Sequence, residues 1–357
     1  MVEISQLPDD LLGEILKRNV NPYDRNRVSE VCKRWLTVEG LTRRSLYLRK
    51  LIFLRKVLPR FPNLVTFKIF NPISEEADLE FIAQTCSKLQ VINLHRPKKY
   101  GYQLLPKNGL SADGGLMNLS NVSLRERRNG RRIRRWLHQL APDYLTYLDL
   151  RKCCYYNDRR MVDDSEVEEI EGLCTRLTYL NLGHSHISDK TLRLLANARF
   201  SKTLRTLVLA HCLYITDAGV THLQNMQSLE ELDLQSCGDH VTDIGVKKAI
   251  SENRSIKKLN LRNLNNVSDQ SMVFVAENCR NLESLNISGT GVTSAGIRAL
   301  SGHKCLETLV WCMYGEICWS DVEHMVLGCQ SLKSIVLRKQ HLNQVPASVS
   351  RIATFVD

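Results

Sequence analysis

Along most of this chain, apolar residues recur in one spacing: apolar, two residues, apolar, one residue, apolar. It reads Leu64/Phe67/Ile69, Leu89/Ile92/Leu94, Leu119/Val122/Leu124, Leu145/Leu148/Leu150, Leu177/Leu180/Leu182 and Leu204/Leu207/Leu209. It continues as Leu229/Leu232/Leu234, Ile256/Leu259/Leu261, Leu282/Leu285/Ile287, Leu306/Leu309/Trp311 and Leu332/Ile335/Leu337. Alternation within each copy predicts one short strand with its apolar side chains turned inward. Between copies, Ile215-Thr216-Asp217, Val241-Thr242-Asp243 and Val267-Ser268-Asp269 place a hydroxyl residue before an aspartate and a new apolar run. That order predicts an N-capped helical return.

Starts lie mostly 24–27 residues apart, with longer steps at 89–119 and 145–177. Eleven copies at that period are the signature of a leucine-rich repeat, in which no unit closes its own core and neighbours must stack. The expected fold is α/β: a right-handed solenoid, curved as a horseshoe, over residues 46–357. The polar strand positions would line its concave wall. With Cys212 and Cys237, the copies resemble the cysteine-containing repeats that follow F-boxes.

The first 45 residues follow a different period. Pro8, Asp9 and Asp10 suit a first helical turn, and Leu11, Leu12, Ile15 and Leu16 form one stripe. A second helix is expected from Asp24 as N-cap, with Val28, Val31, Cys32, Trp35 and Leu36 on one face. So small a piece does not bury two stripes alone. Leu7-Pro8, Leu11-Leu12, Ile15-Leu16 and Val31-Cys32-Lys33-Arg34-Trp35 resemble an F-box. That resemblance implies docking on a Skp-type adaptor, and through it a cullin–RING ubiquitin ligase. Leu7, Pro8, Leu11, Leu12, Ile15, Leu16, Val31 and Trp35 are the expected adaptor-facing residues. The expected boundary separates a helical domain, 1–45, from the repeats.

Composition adds little to this picture except through cysteine and charge. Cys86, Cys174, Cys279 and Cys329 each stand three residues before a repeat anchor, and Cys153, Cys212 and Cys237 share another repeat position. Periodic placement predicts small buried hydrophobes in a reducing compartment rather than disulfides or zinc ligands. With no apolar run of membrane-spanning length, a soluble nuclear or cytoplasmic protein is expected.

Net charge is +11, concentrated at Arg125–Arg135. Such a run is a solvated face, a nuclear-localisation patch or an anion-binding surface. His95, Arg96, Arg125, Arg151 and Lys152 fall on consecutive predicted strands or just beyond them. Together with Tyr179 and Arg262 they are the expected substrate- or anion-binding residues of the wall. A phosphorylated segment or an inositol polyphosphate fits guanidinium forks, though Asp149 and Glu126 are available to pair the same cations. No resident cofactor or metal is expected. Nucleic acid has no motif beyond charge in its favour. Inserts at 96–115 and 153–170 are surface extensions or ligand-touching loops.

There is no GxSxG, Walker A, HExxH or dinucleotide-binding glycine turn, so no catalysis is expected of the chain itself. The reading is a substrate-recognition subunit of an SCF-type ubiquitin ligase, its target unidentified. The alternatives are a repeat scaffold whose helices only cap the solenoid, and a small-ligand-gated receptor. Asp24–Trp35, Thr42-Arg43-Arg44 and Phe61-Pro62-Asn63-Leu64 resemble plant F-box/leucine-rich-repeat proteins, including the auxin and jasmonate receptor group. This chain has fewer repeats, and Leu64 to Leu89 leaves no room for that group's long loop.

Overall fold

The computed structural model describes residues 6–18, 26–69, 81–82, 84–94, 119–123, 144–152, 162–313 and 316–356. They fall in two compact units, Met1–Leu145 and Thr146–Asp357.

The first unit opens with α1 (Asp9–Arg18) and α2 (Lys33–Thr42). β1 (Ser45–Leu48), β2 (Thr66–Ile69), β3 (Val91–Leu94) and β4 (Asn121–Ser123) follow, each parallel to the next. Between β1 and β2 lies α3 (Leu54–Val57), flanked by single 3₁₀ turns. The expected helical domain, 1–45, sits directly against the segment that follows it. A Cβ on Gly40 would overlap the Arg60 carbonyl oxygen, so α2 and the first return meet backbone to backbone. Asn63 Nδ2 donates to Leu41 O at 3.0 Å, and the Arg43 and Arg60 guanidinium groups each lie 5.3 Å from the Phe61 ring centre. The helices and the first strands therefore share one unit.

The second unit carries β5 (Tyr147–Asp149), β6 (Tyr179–Asn181), β7 (Thr206–Val208), β8 (Glu231–Asp233) and β9 (Lys258–Asn260). After these come β10 (Ser284–Asn286), β11 (Thr308–Val310), β12 (Ser334–Arg338) and β13 (Ala353–Val356). All nine pair in parallel in sequence order. Every described anchor side chain of the eleven copies is buried. The helical returns are α4 (Asp164–Leu173), α5 (Asp189–Asn197), α6 (Asp217–Thr221), α7 (Asp243–Ser251), α8 (Asp269–Asn278), α9 (Ser294–Arg298), α10 (Trp319–Gly328) and α11 (Ala347–Ser350). The acidic part of the second insert is thus α4, closed by a capping box between Asp163 and Glu166.

The caps fall where the sequence puts them, with Ser188, Thr216, Thr242, Ser268 and Thr293 each accepting from the backbone N–H two residues on. The aspartate after the cap does more than favour the helix dipole. Asp217 Oδ1 accepts from Thr242 N at 2.8 Å and its Oδ2 from Thr242 Oγ1 at 2.6 Å, so one repeat's aspartate holds the next repeat's cap. Asp164–Ser188, Asp189–Thr216, Asp243–Ser268 and Asp269–Thr293 repeat the pair of bonds. A Cβ at Gly219, Gly245 or Gly296 would overlap the aspartate of the preceding repeat, which is why glycine stands there. At the same position Thr191 and Ser271 instead donate a hydroxyl to that aspartate.

Buried thiols add a second ladder. Cys212 Sγ lies 3.3 Å from Leu182 O, Cys237 Sγ 3.1 Å from Leu209 O, and Cys329 Sγ 3.2 Å from His303 O. Burial pushes the Cys212 and Cys279 thiols up to about 12 and Cys86 to about 11, which leaves them protonated and unreactive.

Candidate functional site

The N-terminal helices divide their apolar residues between two tasks. Leu12 and Leu16 are 0% and 3% exposed and pack with Val38 of α2, with Val28 and Trp35 against them. One residue to the side, Leu11 and Ile15 are 54% and 48% exposed. Gly13 lets the helices approach, since a Cβ there would sit 3.0 Å from Thr42 Cγ2. Arg34 ties the start of α2 to that of α1: its Nε donates to Asp9 Oδ1 at 2.7 Å and its Nη2 to Leu7 O. This pair is solvent-exposed and worth at most about 1 kcal/mol, so it orients the Leu7-Pro8 entry more than it stabilises it.

Two expectations change here. Leu12 and Leu16 form the internal core rather than an outward face, and Trp35 is partly buried against them. The second helix is not continuous across Val28 to Leu36. Ser29, Glu30 and Val31 close turns onto Asn26, Arg27 and Val28, the Ser29 hydroxyl donates to Asn26 O at 2.6 Å, and Cys32 is an extended N-cap. Val31 consequently stands 61% exposed in a turn instead of on the stripe. Asp24, the expected cap, lies outside the described residues. Pro8, Leu11, Ile15 and Val31 are exposed, and Leu7 is half-buried.

The second candidate surface is the strand face of the second unit. The residue closing each strand is mostly Asx, and its side chain accepts the N–H two residues on. Asp149, Asn181, Asp233, Asn260 and Asn286 do so at 2.9–3.2 Å. One residue further the backbone is left-handed, at Lys152, His184, His211, Ser236 and Asn263 with φ of 54–63°. Each such residue costs on the order of 1 kcal/mol, which the Asx turn offsets at all of them except His211, whose strand closes on Val208. The result is a ladder of side chains splayed at one strand end.

On its β5–β7 portion, Tyr147 stacks on Tyr179 with centroids 4.0 Å apart, and His184 on His211 at 4.2 Å. Gln235 Nε2 stands 3.3 Å from His211 Nε2. Burial raises the Asp233 carboxyl above the ordinary range, although hydrogen bonds from Gln235 N and Asn260 and the charges of His211 and Arg151 oppose it. Farther along, Thr206, Val208, Glu231, Asp233, Lys258 and Asn260 line part of a shallow hollow of ≈ 290 Å³. In the first unit Arg44, Lys88, Gln90, Ser120 and Tyr144 line a more polar hollow of ≈ 560 Å³.

Of the wall residues expected from sequence, His95, Arg96 and Arg125 lie outside the described residues, as does the whole 125–135 run. Arg151 is ion-paired with Asp149 at 2.7 Å, the pairing that competes with anion binding. Tyr179 joins the aromatic stack beside it, whereas Arg262 follows β9, three strands from β6. Among the described residues, Arg151 and Tyr179 belong to the neighbouring β5 and β6 repeats, and Arg262 stands apart from them. Sequence reading left out the His184–His211 stack. The signal was there in the three-residue step from Asn181 and from Val208, repeated in every copy.

Comparison with known proteins agrees with this division. The F-box family model matches residues 4–45, and the Leucine Rich repeat model matches 173–196 and 278–301, both of which span a Cys-x-x-Leu anchor and its strand. F-box/LRR-repeat protein 12 of Arabidopsis thaliana is 29% identical over 209 residues, 58% of this chain, which spans only 42% of that relative's length. A chain in the crystal structure of the Rad7 and Elc1 complex in yeast superposes with a TM-score of 0.58 at 15% identity, covering 98% of this chain and 92% of its own, and so shares the fold. With an F-box match over 4–45 that contains α1 and α2, and stacked strand–helix repeats beyond, the chain carries an F-box followed by leucine-rich repeats and is similar to F-box/LRR-repeat proteins.

Proposed function

We propose that this chain is the substrate-recognition subunit of an SCF-type ubiquitin ligase. Its F-box docks a Skp-type adaptor, and the strand face of its repeats holds the protein to be ubiquitinated. The observation that carries this reading is the split in α1: Leu12 and Leu16 close the internal core while Leu11 and Ile15 stay exposed beside them. A helix that only capped the repeats would have no use for that second apolar row. Full burial of a leucine, isoleucine or valine gains about 1.5–3 kcal/mol, and Leu11, Ile15 and Val31, about half exposed, would recover roughly half of that each at the centre of an interface. The ligase role needs no catalytic residue in this chain, since holding a target near a charged enzyme raises its effective concentration. Action in the nucleus or cytoplasm goes with this role.

One observation favours the scaffold reading, namely the tight seat of α2 on the first return through Gly40 and Asn63. Co-expression with a Skp-type adaptor and size-exclusion chromatography separate the two. The ligase role predicts a one-to-one complex that Leu11→Asp/Ile15→Asp abolishes without lowering the melting temperature. A chain that stays monomeric beside the adaptor contradicts it.

A further inference from the structure

The first return carries a charge pattern that neither surface above uses. Between Glu39 and Glu75 the sequence holds eight cations and no acidic residue. Four of these, Arg49-Lys50 and Arg55-Lys56, bracket Ile52-Phe53. After β1 the chain bends, makes a 3₁₀ turn over Leu51–Phe53 and enters α3. Leu54 and Leu58 are buried and pin this segment inward, and all four cations are exposed. Ile52 is 77% exposed and Phe53 45%, with the Arg55 guanidinium 5.1 Å from the Phe81 ring centre. The segment lies beyond the residues matched by the F-box model.

We propose that this face docks an acidic protein segment carrying an apolar anchor. Protein interfaces place apolar side chains at the centre and polar ones at the rim, and here cation pairs stand on either side of a branched aliphatic residue and an aromatic ring. Charge complementarity selects and steers the partner, and within a Debye length of about 8 Å at physiological salt the cations act together. A nucleic-acid backbone would engage the cations yet leave Ile52 in water. Only a partner with its own apolar group recovers that surface. This inference does not depend on what the F-box binds.

The test uses the full chain, a fluorescently labelled peptide of Glu-Glu-Leu repeats, and labelled duplex DNA of arbitrary sequence. Fluorescence anisotropy is expected to show peptide binding that weakens with salt, weakens about tenfold in Ile52→Gln, and disappears in Lys50→Glu/Lys56→Glu. Lys50→Arg/Lys56→Arg should retain it. Each side chain is exposed, so an unchanged melting temperature confirms that the variants fold. Three results overturn the proposal: no peptide binding by the wild type, the same peptide affinity in Ile52→Gln, or duplex DNA bound as tightly as the peptide.

Discussion

The repeats of the second unit and the helices that open the first handle apolar surface in opposite ways. In the repeats every anchor is buried, and from α4 to α9 each return is also locked to the next by an aspartate reaching forward to a capping hydroxyl. In the helices, Leu12, Leu16 and Val38 make a small core while Leu11, Ile15 and Val31 remain in water. A solenoid satisfies its surfaces through its own neighbours. The short helical segment has too little chain to do so and leaves a row for another molecule. The same residue types therefore carry stability in one place and recognition in the other.

The largest expected break in this comparison is a cavity in the repeats. Leu209→Ala removes a fully buried anchor and should cost about 2–5 kcal/mol in chemical denaturation. Next is the aspartate ladder: Asp217→Ala leaves Thr242 N without its cross-repeat acceptor, and Gly245→Ala forces a methyl onto Asp217 Oδ1. Either should cost about 1–3 kcal/mol, read as a shift in urea midpoint.

A smaller effect appears in acid. Burial pushes the Asp164 and Asp243 carboxyls up, but hydrogen bonds from Ser188 and Thr191, and from Ser268 and Ser271, prevail and hold both below the ordinary carboxylate value. A depressed folded value means their stabilisation is whole above the unfolded pKa of about 3.9 and fades as pH falls through the folded one. Asp243→Asn should flatten the acid side of the stability–pH curve; an unchanged curve would remove this carboxylate from the account. Smallest of all, Leu11→Asp/Ile15→Asp should shift stability by no more than about 0.5 kcal/mol, whereas Leu12→Ala should unfold the helical segment.

The repeats were legible because their period is carried by buried residues: the eleven copies fall on β2 to β12. β1 was not legible because Arg43 stands where the first apolar anchor belongs, before Leu46 and Leu48. β13 escaped because Ala353–Val356 alternates between half-buried and exposed with no buried position. The break at Ser29–Cys32 was hidden by Val28, Val31, Cys32 and Trp35, which keep helical spacing through a segment that turns. Capping hydroxyls could be read locally, but the forward reach of Asp217 to Thr242 depends on register between repeats. For the same reason the sequence grouped Leu11, Leu12, Ile15 and Leu16 in one stripe. Adjacent positions on a helix face about 100° apart, and only the packing of α2 decides which pair goes inward.

Hydrogen–deuterium exchange of the chain, alone and with a Skp-type adaptor, tests the central claim most directly. The account predicts new protection confined to residues 7–18 and the turn before α2, with exchange across β6 to β11 unchanged and that face still open to a target. Protection appearing on the strand face, with α1 exchanging as before, would contradict it.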